Sequence, residues 1–290
     1  VMLSRTALVS LSLLAAAISV AIVLNYSGSS VTRTQTLKQA SSTSRNFARK
    51  MDTQPRPIAG VKRVMVFGGS GMVGQGVIRE CLADPEVEQV ITVGRTATGT
   101  VHDKIREIEH ADMSEFESIS EDLKNIDAVF WSLGVSSADV SKEKYEVITR
   151  DYTLAAAKVL LQHNPNMTFV YVSGEGTDAE SSTHWQRIKG GVENSIIEMP
   201  WHGYAFRLAM LEAKNKETSK TGIYRKMYKA LGWALIPLTR TFMPAKIITT
   251  EQLGRGFLEL SRRGTDKKVL YSPDMITLSQ AAIERNQASL

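Results

Sequence analysis

The run Arg63-Val-Met-Val-Phe67 passes without a break into Gly68-Gly-Ser-Gly-Met-Val-Gly74. After its leading arginine the first run is apolar and partly β-branched, the composition of a strand buried on both faces. Beyond the glycines, Val73, Val77, Ile78 and Leu82 recur at helical spacing, which predicts a helix from Met72 to Leu82. Strand, glycine turn and helix in that order form the setting in which a glycine-rich loop takes a dinucleotide. The residues satisfy both G-x-G-x-x-G from Gly69 and G-x-x-G-x-x-G from Gly68. An early glycine permits the tight turn, Gly71 lets the backbone approach the pyrophosphate, and Gly74 lets the helix pack closely. Unpaired N–H groups and the positive dipole end of the helix then favour phosphate. Gly68, Gly69, Ser70, Gly71, Met72, Val73 and Gly74 are therefore the expected cofactor cradle.

Strand and helix signals alternate along the rest of the chain. Strands are predicted at Gln89–Val93, Ile105–Glu109, Asp127–Leu133, Met167–Ser173 and Tyr204–Arg207, and helices over 114–124, 142–162 and 181–199. Such alternation points to an α/β fold, a Rossmann-type doubly wound parallel sheet covered on both faces. The second strand ends at Gly94-Arg95, where an NAD site usually places an acidic residue on the ribose 2′-hydroxyl. The planar fork of Arg95 suits a 2′-phosphate instead, so NADP(H) is expected ahead of NAD(H). Asp112 follows the third strand, within reach of the adenine. Leu133 and Gly134 end the fourth beside the cofactor cleft.

Charge and hydropathy set the N-terminus apart. Ala7 to Leu24 carries no charge, and its eighteen residues span some 27 Å as a helix, close to the thickness of a bilayer core. A membrane anchor over residues 1–26 is expected, with a cleaved signal or a mitochondrial presequence as alternatives. Arg5 precedes the run and five basic residues follow it between Arg33 and Lys50, so the folded domain should lie in the cytosol. Endoplasmic reticulum and mitochondrial membranes fit equally. Residues 27–60, rich in Ser, Thr and Gln, read as a linker, 61–275 as the dinucleotide-binding domain with a small C-terminal lid, and 276–290 as a tail or short helix. The net charge of +5 comes from residues 1–51, which hold six basic side chains and no acidic one. The rest is close to neutral, so no nucleic-acid partner is expected. The five histidines and one cysteine fall at no metal-ligand spacing, so no metal is expected either.

The loop Gly68–Gly74 together with Asp127-Ala-Val-Phe-Trp-Ser-Leu-Gly134, Tyr171-Val-Ser-Gly174 and Lys189-Gly-Gly-Val-Glu193 resembles the atypical and extended short-chain dehydrogenase/reductases. More narrowly it is similar to the NAD(P)-binding, epimerase-like proteins related to the Tat-interacting oxidoreductase. The resemblance runs over roughly residues 61–275. It implies an oxidoreductase on a carbonyl or alcohol, with isomerase or dehydratase chemistry as relatives of the same fold. In that superfamily a Ser, a Tyr and a Lys act together, the last two spaced Y-x-x-x-K. Residues i and i+4 share a helix face, and the ammonium lowers the phenol's pKa so that it can exchange a proton. Ser173 and Lys189 stand at the matching positions as catalytic candidates, Lys189 also as a ribose ligand. At i−4 from the lysine, however, stands Trp185, whose indole N–H donates only. The rival reading is therefore a Rossmann-fold regulator or scaffold that binds NADP without classical reductase chemistry. Tyr171, on the same strand face as Ser173, is a conceivable substitute.

Lys214 to Lys229 is basic and leads into an aromatic and apolar run that ends at Leu238. A cap helix with a solvated polar face is the plainer reading. A lid resting on anionic lipid would point to a lipophilic small-molecule substrate. Thr249-Thr-Glu-Gln252 predicts a capping box that opens a helix through Leu260, and Lys268–Tyr271 a last edge strand.

Overall fold

The computed structural model describes residues 60–215, 217, 236 and 239–288. The anchor expected at 1–26, almost all of the linker and most of the basic segment after Lys214 lie outside the described residues. Among the described residues no helix is long and apolar enough to cross a membrane.

The sheet grows outward from β1 (Arg63–Phe67). On one side it pairs with β2 (Gln89–Gly94) and, beyond that, β3 (Ile105–Glu109). On the other lie β4 (Ala128–Trp131), β5 (Thr168–Gly174), β6 (His202–Leu208) and, as the last strand, β9 (Val269–Leu270). Every pairing is parallel. Two short strands, β7 (Met210–Glu212) and β8 (Ile247–Thr249), form a separate parallel pair. The strands are the near-continuous apolar runs that burial on both faces demands. Val64 and Val66 join one core with Val77, Ile78, Phe130, Leu253 and Phe257, whereas Met65 and Phe67 join the other with Ile91, Trp131, Phe169, Leu160 and Ile196. Adjacent residues of one strand therefore feed opposite cores, as the pleat requires.

The helices are α1 (Met72–Ala83), α2 (Lys142–Glu146), α3 (Tyr152–His163), α4 (His184–Glu198), α5 (Thr250–Arg263) and α6 (Ser272–Ala288). Two expectations need correction. Residues 114–124 do not make an α-helix: Glu117–Leu123 is 3₁₀, broken at Ile119 (φ −116°, ψ 17°). Glu115 draws the Ser118 N–H (2.9 Å) and hydroxyl (2.8 Å) to its carboxylate, a local bond that competes with the helix ladder. The run 142–162 is helical throughout, but Val147–Asp151 is a π-turn between α2 and α3. The β-branched Val147-Ile-Thr149 is a weak α-former, and Thr153 Oγ1 bonds back to Thr149 O at 2.8 Å. The capping box is present, with Gln252 N donating to Thr249 Oγ1 (3.1 Å) and Thr249 N to Gln252 Oε1 (3.0 Å). Beyond 275 the chain is the body of α6, which packs on α5 through Met275 and Gly256 rather than trailing free.

Helix α1, which begins at the glycine turn, is pinned to α5 by close approach. A Cβ on Gly76 would sit 2.7 Å from Thr250 Cβ, and one on Gly254 would sit 3.0 Å from Gly76 O. Overpacking of this kind costs about 2 kcal/mol, or roughly 5 °C of Tm in a domain of this size. Gly76→Val is expected to lower Tm by that amount in a calorimetric melt; an unchanged Tm would mean that the crossing has slack.

Candidate functional site

β1 pairs with β2 on one side and β4 on the other, so the chain leaves it in opposite directions. That switch opens a crevice at the strands' carboxyl ends, where ligands bind in open α/β sheets. A cavity of about 740 Å³ lies there. Gly68, Gly69, Ser70 and Gly71 form one wall; Thr92, Val93, Gly94, Arg95, Thr96 and Thr98 another; and Ser132 to Ser136, with Asp139 and Met113, the rest.

The turn itself is fixed by what cannot fit. Gly68 has φ +75°, and a Cβ there would lie 2.6 Å from Leu133 N and 2.7 Å from Ser132 O. A Cβ on Gly74 would lie 2.4 Å from Gly68 O. Ser132 locks the same junction, donating from its N–H (3.0 Å) and its hydroxyl (2.6 Å) to Phe67 O. Gly71 differs. Its Cβ would meet only Gly68 O, at 3.4 Å, so the protein itself leaves room for a side chain. What Gly71 keeps clear is the cavity that it lines. Gly71 caps α1, and the first intrahelical bond runs from Gln75 N to Gly71 O (2.8 Å). The N–H groups of Met72, Val73 and Gly74 thus lack helical partners, and the first turn carries no acidic side chain to offset its dipole. The side chains of Met72 and Val73 pack against the core.

Arg95 is exposed on the cavity wall and has no hydrogen-bond or ion-pair partner among the described residues. On the paired strand Glu107, opposite Thr92, is committed to Thr98, whose N–H (2.7 Å) and hydroxyl it accepts. Leu133 and Gly134 line the cavity as expected. Asp112 does not: it is exposed, and its carboxylate turns back to accept the Ser114 N–H at 2.9 Å, while the neighbouring Met113 forms the lining. Those bonds to Ser114 hold the Asp112 pKa below its usual value. The threonines at 92, 96 and 98 and the loop residues Val135, Ser136 and Asp139 carry no motif signal, so sequence reading passed over them.

Ser173 and Lys189 sit away from that lining, at the carboxyl end of β5 and on α4. The Ser173 hydroxyl is buried and lies 3.0 Å from Thr177 Oγ1, which in turn donates to Gly174 O at 2.7 Å. The expected polarising serine thus spends its hydroxyl inside the loop. Gly174, next along, is the position that faces residue 185: its Cβ would sit 3.6 Å from Trp185 Cζ3. Gly174 has no side chain, and the Trp185 indole N–H donates without titrating. Lys189 Nζ lies 3.3 Å from Val172 O, 3.5 Å from Tyr171 Oη and 5.1 Å from the centre of the Tyr171 ring. Burial lowers this lysine from its ordinary 10.5 to about 8, with Glu193 pulling it back up. Burial, then Tyr145 and Glu193, push the Tyr171 phenol well above its usual range. Tyr171 is 1% exposed and lies outside the cavity lining. His184 turns the other way, its Nε2 2.8 Å from Glu146 Oε1 on α2.

The comparisons agree with this geometry. Residues 64–184 match the NAD dependent epimerase/dehydratase family. The protein HTATIP2 of Rattus norvegicus is 26% identical over 210 residues, 69% of this chain and 85% of that protein. The mitochondrial protein FMP52-1 of Scheffersomyces stipitis is 28% identical over 157 residues, 53% of this chain and 69% of that one. In fold, the chain is similar to the Bordetella bronchiseptica enzyme WbmF in complex with NAD+ (TM-score 0.57, 18% identity, 78% of each chain). It is likewise similar to a UDP-N-acetylglucosamine 4-epimerase from Methanobrevibacter ruminantium (TM-score 0.55, 13% identity, 73% of this chain and 76% of that one). The resemblance to the atypical and extended short-chain dehydrogenase/reductases therefore holds over the matched segment and in the fold.

The lysine offers a test free of any ligand. Its folded pKa of about 8 lies below the ordinary 10.5, so between those values the unfolded chain binds more protons and Lys189's contribution to stability rises with pH. Lys189→Met should remove that rise. Denaturant midpoints from pH 7 to pH 10.5 are expected to converge between wild type and variant as pH increases; a constant gap would contradict the depressed pKa.

Proposed function

We propose that this chain is a membrane-tethered, NADP(H)-binding protein of the short-chain dehydrogenase/reductase type that keeps its cofactor site and has lost the classical proton-transfer pair. Its role is then that of a dinucleotide-responsive regulator or scaffold. The observation that carries this reading is Trp185 packed over Gly174, with Ser173 turned onto Thr177. No phenol stands where the superfamily's tyrosine would work, and the serine hydroxyl is engaged by Thr177. Lys189 remains, and in this reading its ammonium holds the nicotinamide ribose. Gly68 to Gly74 and the start of α1 take the pyrophosphate.

The choice of NADP(H) over NAD(H) rests on Arg95, uncommitted on the cavity wall. The tether is the apolar run Ala7–Leu24, joined by the linker to a folded domain that begins near Val61. The stretch after Lys214 supplies the lid. A mitochondrial membrane fits the naming of the FMP52 relatives. A second reading, hydride transfer to a lipophilic carbonyl with the proton drawn from water, is favoured by the retention of Lys189.

Calorimetric titration of the full chain tests this. NADPH should bind more tightly than NADH, and Arg95→Ala should cost NADPH about tenfold, the value of one charge-assisted bond, while leaving NADH unchanged. Gly71→Val should melt close to wild type yet abolish binding. Absence of binding to either dinucleotide would overturn the proposal. NADPH consumption across a carbonyl panel that Trp185→Tyr leaves unimproved would favour the second reading.

A further inference from the structure

Lys189 and Glu193 stand four residues apart on α4 and share a helix face. A pair so spaced ordinarily meets. Here the carboxylate is taken by another strand. Arg207, on β6 and in register with Ser173, donates through Nε to both Glu193 oxygens (3.1 and 3.2 Å) and through Nη2 to Oε2 (2.7 Å). Its Nη1 donates to Tyr271 Oη at 3.1 Å, which fixes the guanidinium plane. Glu193 is 2% exposed, so it is both buried and fully matched.

The bonds that Lys189 makes among the described residues go to a carbonyl and a phenol, both neutral. The groups around it are Glu193 on its own helix, Tyr171 on β5 with Tyr145 acting on that phenol, and Arg207 on β6. Of these, Glu193 alone can carry a negative charge at neutral pH. We propose that Arg207 is a positioning residue for Lys189: by clamping Glu193 it withholds that carboxylate and leaves the ammonium committed to neutral acceptors at the end of β5. A lysine in a salt bridge would be drawn one turn along α4, away from the crevice. Held as it is, it stays beside the strand end and can hand its remaining donors to a ligand's hydroxyls. The inference rests on the reading that Lys189 meets the cofactor, and its consequence is that β6 sets the charge of that contact.

The test reads Lys189 directly in the cofactor-free full chain. Uniform ¹³C-lysine labelling, with the signal assigned through Lys189→Arg, follows its titration by NMR. Arg207→Met frees Glu193 and should raise the Lys189 midpoint by about one pH unit or more. Glu193→Gln leaves Arg207 unopposed and should lower it. Arg207→Lys should stay near wild type. Opposite signs from the two sides of one ion pair are a signature that a purely structural bridge would not give. If Arg207→Met fails to fold, Glu193→Gln still decides the sign. A Lys189 midpoint that stays put in both, or moves the same way in both, overturns the proposal. NADPH affinity measured against pH in the same variants separates the two layers. If the midpoints shift and the affinity profile does not follow, Arg207's role stands and the ribose role of Lys189 falls.

Discussion

The site depends on an exclusion. At Gly68 the backbone of β1 turns with φ +75° hard against the backbone of Ser132 and Leu133, and no Cβ fits between them. Gly74 brings α1 down onto the Gly68 carbonyl in the same way. Because β1 and β4 are thereby fixed at van der Waals distance, the helix that leaves the turn starts with its N–H groups facing the crevice. The remaining pieces follow from that start. Helix α1 carries Gly76 into its crossing with α5, and α5 in turn seats α6. The shape of the turn is a rigid consequence of this crowding.

Gly71 shows the complementary logic. The neighbouring glycines are required by the protein, whereas a Cβ on Gly71 would meet only Gly68 O, at 3.4 Å. A glycine the fold does not need, on the wall of a cavity, marks space kept for a ligand. Arg95 has the same character, since it is a cation left uncommitted on that wall. The end of β5 carries the opposite message. Lys189 bonds a carbonyl and the buried Tyr171 phenol, Trp185 lies against Gly174, and the Ser173 hydroxyl is turned onto Thr177. Binding and chemistry have separate residues in this fold, so one can persist without the other.

Much of this was legible in the sequence, because the signals are local. The strand–glycine–helix run fixed the loop, uninterrupted apolar stretches marked the buried strands, and Thr249 with Gln252 announced the start of α5. What sequence could not supply were features decided by distant partners. Ser173 has the right residue type, yet its hydroxyl belongs to Thr177 once the loop closes. Asp112 follows β3 as an adenine contact should, but its carboxylate accepts from Ser114 and it is Met113 that lines the cavity. The three-residue strands β7 and β8 are too short to show a period. The clamp of Arg207 on Glu193 joins residues on two elements and has no sequence signature.

The central claim is that a dinucleotide occupies the crevice between the β1–α1 turn and the ends of β2 and β4. Amide hydrogen exchange of the full chain, with and without saturating NADPH, addresses it most directly. Slowed exchange is predicted over residues 68–75, 92–98 and 132–136, with the phosphate turn the most protected. Unchanged exchange there would contradict the claim. So would protection confined to the second cleft, of about 480 Å³, beside β8 and α6.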